Sequence, residues 1–130
     1  LVMEFTSLAG VMGKHYATLE GLDTKECDAI FEAALPRSSG DLLPQSPAGI
    51  AVAVADRLDT LVGLFAVVGA PKATADPFGL RRAAYGAVQA LVASNTRCDS
   101  RQALRDAAAQ QPVECGEDAL SGSTSAPTPT

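Results

Sequence analysis

The stretch Pro47-Ala-Gly-Ile-Ala-Val-Ala-Val-Ala-Asp-Arg-Leu-Asp-Thr-Leu-Val-Gly-Leu-Phe-Ala-Val-Val68 decides the fold class. Its apolar residues Ile50, Val54, Leu58, Leu61, Phe65 and Val68 recur at intervals of four, four, three, four and three. On a helical wheel that spacing gathers all six into a stripe about 80° wide, which predicts a helix with one buried face. Asp56, Asp59 and Gly63 fall on the opposite side. Ser46 offers a hydroxyl to the first-turn amides, and Pro47 sits where a missing N–H costs nothing.

Working outward, a second stripe of Leu80, Ala84, Ala87, Val88 and Leu91 predicts a helix over 78–92. The loop from Gly69 to Ala75 is short, so the two helices should pack as antiparallel neighbours. Asp76-Pro77 repeats the pattern of a capping residue followed by proline. Upstream, Asp23-Thr-Lys-Glu26 reads as a capping box opening a helix that Pro36 should stop after Leu35. Downstream, Asp99-Ser-Arg-Gln102 offers a further helix start. Leu1-Val-Met-Glu-Phe5 reads as the continuation of a helix, and the first residue therefore as a cut. No strand pattern competes. The expectation is an all-α bundle of four to five helices over residues 1–110. Residues 111–130 should form a disordered low-complexity tail, since Ser121 to Thr130 has no apolar content to offset ordering entropy.

Composition agrees and narrows the function classes. The 130 residues are 47% hydrophobic, carried mainly by Ala, Val and Leu, with no Trp and only six Phe and Tyr together. Such a mixture favours helices and fills one small domain. The longest uncharged apolar run, Leu61 to Pro71, is about half the roughly 20 residues of a membrane span. Cys27, Cys98 and Cys115 are odd in number and far apart, which argues for reduced thiols and against a paired-cysteine zinc site. A net charge of −5 disfavours general nucleic-acid binding, although a few local arginines suffice for an RNA contact.

Asp56 and Asp59, three apart on one helix, could serve acid–base chemistry or a metal. The structural alternative is a set of ion pairs among Asp56, Asp59, Arg57, Arg81 and Arg82 that locks two helices. Arg81 and Arg82 fall at the start of their helix, where the macrodipole disfavours cations. Their placement calls for a carboxylate, a phosphate or a partner surface, all of which the planar guanidinium fork suits. Arg82 shares a wheel strip with Gly79 and Gly86, which admits a close neighbour. Both Arg81 and Arg82 are candidates for an RNA or partner contact, with Arg81 favoured for internal pairing and Arg82 for a partner. His15, the single histidine, reads as a surface or packing residue. Gly10 and Gly13 point to close helix packing, because the strand–loop–helix setting of a phosphate cradle is absent. Gly40-Asp41-Leu-Leu-Pro44 reads as a turn closing on the next helix. No catalytic residue and no metal site is assigned.

Four motifs carry a resemblance: Glu4-Phe-Thr-Ser-Leu-Ala-Gly-Val-Met-Gly13 with Tyr16-Ala17; Gly40-Asp-Leu-Leu-Pro44; Ala55-Asp-Arg-Leu-Asp-Thr-Leu-Val-Gly63; and Asp76-Pro-Phe-Gly-Leu-Arg-Arg-Ala-Ala84. In this order and near this spacing they resemble the β subunit of bacterial-type glycyl-tRNA synthetase, whose patterns read roughly EFTxLQGxMGxxYA, GDxLP, ADKxDTLxGxF and DPFALRRAA. The likeness runs from residue 4 to about 93. Departures are Ala9 for the usual Gln, Arg57 for Lys, Gly79 for Ala, and Lys72-Ala73-Thr74 for the usual Thr-Gly-Ser after Pro71.

The resemblance implies an HD-like helical domain in an assembly that joins glycine to tRNA(Gly) using ATP and Mg. It also implies an α subunit, or the α part of a fused chain, as partner and holder of the adenylate-forming site. Within these residues no cofactor is expected, for there is no Gly-rich phosphate loop. The compartment implied is chloroplast or mitochondrion in a eukaryote and cytoplasm in a bacterium. Two alternatives stand beside this reading: an HD-type metal phosphohydrolase, whose His-Asp ligand set the chain lacks, and a purely structural helical scaffold.

Overall fold

The computed structural model describes residues 3–72 and 74–113. A 3₁₀ turn at Thr6–Leu8 leads into five helices: α1 (Val11–Leu19), α2 (Thr24–Glu32), α3 (Pro47–Val68), α4 (Leu80–Ala93) and α5 (Ser100–Gln110). Among the described residues there is no strand, only an isolated bridge between Lys72 and Ala75. The all-α expectation holds. Most of the proposed tail, residues 114–130, lies outside the described residues, as does Cys115.

Most helix starts follow the sequence signals. Asp23 closes a full capping box with Glu26 at the head of α2. Ser46 Oγ accepts from Gly49 N at 3.0 Å, with Pro47 in the first turn of α3. Asp99 Oδ1 accepts from Arg101 and Gln102 N, both at 3.1 Å, at the start of α5.

Three boundaries differ from expectation. Residues 3–4 form a turn and not a helix. Helix α2 ends at Glu32, because Ala34 N and Leu35 N bond to Phe31 O and Glu32 O in tighter i→i+3 turns before the cis Leu35–Pro36 bond. Helix α4 begins at Leu80 and not at Pro77, since Gly79 takes the left-handed conformation (φ 69°) and Gly79 N closes a turn on Asp76 O. Asp76 still caps the helix, from outside: its carboxylate accepts from Leu80 N (2.8 Å) and Arg81 N (2.9 Å).

Helix α3 is the centre of the fold, packing against α2, α4 and α5. Its buried residues are Gly49, Ala53, Val54, Arg57 and Val62. That set is rotated from the predicted stripe, whose last member, Val68, is exposed. A helix with neighbours on three sides has no single core face, so a one-stripe reading finds only part of it. Helix α4 does the same: Gly86 and Ala90 are buried, while Val88 faces outward. The core is made mostly of small residues (Ala17, Cys27, Ala53, Ala87, Ala90), so the helices approach closely.

The N-terminal pair α1 and α2 shows the same close approach. Gly10, the N-cap of α1, has φ 77°, and a Cβ there would lie 2.7 Å from Phe31 O. A Cβ on Gly13 would meet Ile30 Cγ2 at 3.0 Å, which agrees with the close packing expected of this glycine pair. Gly21 has a similar φ of 82° but open space around it. Gly10→Ala is therefore expected to destabilise by about 2–4 kcal/mol, combining backbone strain with a clash, and Gly21→Ala by only about 1 kcal/mol. Denaturant unfolding that gives equal losses for the two variants would refute the clash at Phe31.

Candidate functional site

Of the residues singled out by sequence, Arg57 and Arg82 sit at the junction of α3, α4 and the segment that follows α2. Arg57 is the surprise. It is 9% exposed and lies at the edge of the apolar stripe of α3, one helical turn from Val54 and Leu61. Its Nη1 donates to Ala53 O (2.8 Å), and its Nη2 to Leu35 O (2.6 Å) and Pro36 O (3.3 Å). A Cβ on Gly86 would come within 2.6 Å of Nε, so the guanidinium fills the space that a side chain on α4 would need. Burial pushes its pKa down and the Asp56 charge opposes that shift. An arginine nevertheless stays cationic at neutral pH.

The carboxylates behave differently from expectation. Asp56 is exposed. Asp59 Oδ1 accepts from Gln111 Nε2 (2.5 Å), and Gln111 Oε1 lies over Gly63, so this side of α3 receives the end of α5. Arg57 and Asp59 thus do not meet: the first bonds carbonyls, the second an amide. Arg81 Nη2 donates to Lys72 O (2.7 Å) and Pro71 O (3.4 Å), tying α4 to the preceding loop. Arg82 is exposed and makes no hydrogen bond or ion pair among the described residues. His15 is exposed, its ring 6.0 Å from that of Tyr16.

Asp76 explains how an arginine pair is tolerated at a helix start. Its carboxylate takes the amide hydrogens of the first turn, and the Arg81 and Arg82 charges lie near enough to act on it. These backbone hydrogen bonds, with the two arginines, hold its pKa down.

One residue that the sequence reading passed over organises the next segment. Arg37 Nε and Nη2 form a fork on Asp41 (2.8 and 3.1 Å), and Arg37 N donates to the same carboxylate at 2.9 Å. Arg37 Nη1 reaches back to Ser7 O at 3.1 Å, and the guanidinium lies 5.7 Å from the Phe31 ring centroid. Asp41 belongs to the Gly40-Asp-Leu-Leu-Pro44 motif, so the motif's carboxylate closes a loop on an arginine four residues earlier. The i,i+4 spacing across Ser38-Ser39-Gly40 was the available signal.

Two of the grooves that adjoin these residues border α3 or α4 along their length. The larger, about 1050 Å³, is walled mainly by aliphatic side chains such as Leu42, Leu43, Ile50, Val54, Leu58 and Leu91. The smaller, about 370 Å³, lies between Pro36–Ser39 and the Arg82, Tyr85, Gly86 and Gln89 face of α4. Among the described residues no group of three or more His, Cys, Asp and Glu side chains gathers to hold a metal ion. No helix there is long and apolar enough to cross a membrane.

The model of one protein family, described as glycyl-tRNA synthetase beta subunit, matches residues 1–125. The chain is 46% identical over 114 residues to glycine–tRNA ligase, chloroplastic/mitochondrial 2, of Arabidopsis thaliana, covering 88% of this chain and 11% of that relative. It is 46% identical over 110 residues to the glycine–tRNA ligase beta subunit of Chromohalobacter salexigens, covering 85% of this chain and 16% of the relative. A Haemophilus influenzae glycine–tRNA ligase beta subunit gives 47% over 109 residues, 84% of this chain and 16% of the relative. The chain thus spans between 11% and 16% of the length of these relatives.

Arg57→Ala is expected to cost about 2–4 kcal/mol, because buried carbonyls lose their donors and a void opens under Gly86. Arg57→Lys should cost less, as it keeps a cationic donor. A loss below about 0.5 kcal/mol for Arg57→Ala in chemical denaturation would show the carbonyls to be satisfied without it. The second expectation is a pH dependence. The Arg37 fork holds the Asp41 carboxyl well below the usual carboxylate range. A depressed folded pKa contributes stability above the unfolded value of about 3.9 and loses it as pH falls from there toward the folded value. Wild type should therefore lose stability relative to Asp41→Asn below about pH 4 and keep its advantage above about pH 5. Parallel stability–pH curves for the two proteins would remove that role.

Proposed function

This chain belongs to the glycyl-tRNA synthetase β-subunit family, and on that premise we propose that it forms part of a glycine–tRNA ligase, contributing to tRNA recognition and assembly with the α subunit or α part. Its helical arrangement is read as the HD-like portion of a β chain. The whole ligase would use ATP and Mg, and the compartment would be an organelle in a eukaryote or the cytoplasm in a bacterium. The names of the plant and bacterial relatives support both settings.

The observation that carries the reading is Arg82. It lies inside the most specific of the shared motifs, at the start of α4, exposed and without a hydrogen-bonding partner among the described residues. Its neighbour Arg81 differs, for that guanidinium already serves the 71–72 carbonyls. An exposed arginine at a helix start, hydrogen-bonded to none of the described residues and beside a groove, is placed to meet a phosphate or a carboxylate of another molecule. The phosphohydrolase alternative would need a ligand set that the donors described here do not supply. Asp59 is engaged by Gln111, and His15 lies exposed beside Tyr16.

Arg82→Ala in the assembled ligase should lower glycine charging of tRNA by about tenfold, the loss of one charge-assisted contact. Glycine-dependent ATP–pyrophosphate exchange, which reports adenylate formation alone, should change by less than about twofold. Arg82→Lys should restore only part of the charging, since it keeps the charge and loses the fork. Equal loss in both assays would point to a structural role, and no loss in either would remove Arg82 from the interface.

A further inference from the structure

The smaller groove combines features that one class of ligand would use together. One wall is the segment Pro36–Ser39, the other is Arg82, Tyr85 and Gln89 of α4, and Gly86 forms the floor. Its volume of about 370 Å³ falls at the lower end of the roughly 300–1,000 Å³ of small-ligand sites.

Three independent observations bear on what it binds. Arg82 projects a cation with no hydrogen-bonded or ion-paired anion among the described residues. Below Gly86 lies a second cation, Arg57, whose recorded bonds go to neutral carbonyls and not to a carboxylate. The Asp56 charge acts on this guanidinium, so it adds only part of a positive charge to the field at Gly86. Arg37 adds little, since Asp41 takes up its charge. The third observation is Tyr85, which leaves 62% of its surface in water on the same wall as Arg82. Ser38, Ser39 and Gln89 complete the lining with neutral donors and acceptors.

We propose that this groove takes one nucleotide of single-stranded RNA, its phosphate on Arg82 and a base stacked on Tyr85. Ser38, Ser39 and Gln89 are placed to bond the ribose hydroxyl or a base edge. A run of acidic side chains would satisfy the arginine and offer no flat ring to stack on Tyr85. A duplex would present phosphates while keeping its bases stacked on one another. An unpaired strand uses the cation and the ring at once. The proposal deepens the Arg82 reading above and rests on it.

The chain has two tyrosines and no tryptophan, which makes the test direct. In the 130-residue chain carrying Tyr16→Phe, Tyr85 is the only tyrosine, and stacking of a base should quench its emission. Titration with a single-stranded oligoadenylate RNA should give saturable quenching, and a blunt RNA duplex should bind several-fold more weakly. Affinity, followed by anisotropy of labelled RNA, should fall about 5- to 100-fold with Tyr85→Ala and stay within about twofold with Tyr85→Phe. Arg82→Ala should weaken binding and make the slope of log affinity against log salt shallower by about 0.7. Both positions are exposed, so melting curves should match the parent. Absence of quenching, equal affinity for the duplex, or displacement of the RNA by polyglutamate at comparable concentration would each overturn the proposal, the last in favour of a protein partner. The two readings separate cleanly. Reduced charging by Arg82→Ala with unchanged RNA binding by Tyr85→Ala sinks the groove alone. The opposite pair of results keeps the groove and removes Arg82 from aminoacylation.

Discussion

The bundle turns on one buried cation. Arg57 sits mid-way along the central helix, where α3 meets both the chain leaving α2 and the glycine face of α4. Its donors satisfy the carbonyls of Leu35 and Pro36 at a place where the backbone has left α2 and not yet begun α3. Buried carbonyls of that kind need partners, and no helix or sheet ladder can provide them there. The guanidinium fork reaches several at once, which an ammonium does less well. Gly86 completes the arrangement, since any side chain at that position would collide with Nε. Leu35, the largest fully buried side chain, is fixed at the same point.

Around this centre, carboxylates are placed at helix beginnings. Asp23 heads α2, Asp76 heads α4 and Asp99 heads α5. Glu32 closes the start of α3, accepting from Gln45 N (3.2 Å), Ser46 N (3.0 Å) and Ser46 Oγ. Each puts negative charge against the positive end of a helix and uses amides that have no partner within it. Part of the chain's acidity is therefore structural. The sequence argument that the arginine pair stands in an unfavourable field is softened at Asp76, which supplies the missing negative charge. What remains unexplained by packing is Arg82, and the functional reading rests there.

The surface of α4 bears on how such a domain is used. Tyr85, Val88 and Val92 follow one another at three and four residues and are all exposed. Beside the hydrogen-bonding wall of the small groove, the same helix thus shows an apolar edge. The helix thus presents a cation, an aromatic ring and aliphatic side chains that its own core does not use. Its inner face, by contrast, holds Gly86, Ala87 and Ala90 beyond Leu80, so that α3 and Arg57 can come close.

Sequence by itself determined the class of fold and most helix starts, because capping residues and prolines act locally. Asp23, Ser46 and Asp99 do in the structure what their spacing said they would. The four ordered motifs also sufficed to point to the family. The burial of Arg57, the meeting of Asp59 with Gln111 and the closure of Arg37 on Asp41 and Ser7 O needed the tertiary structure. A wheel assigns one inner face to a helix, whereas α3 is enclosed on three sides, so a charged residue at the edge of the main stripe lies at the centre of the packing. Likewise the extent of α4 followed from the left-handed turn at Gly79 and not from the Asp-Pro signal before it. Partners separated by 22 residues (Arg57 and Leu35) or 52 residues (Asp59 and Gln111) are chosen by how helices stack. Local propensity carries no record of that choice.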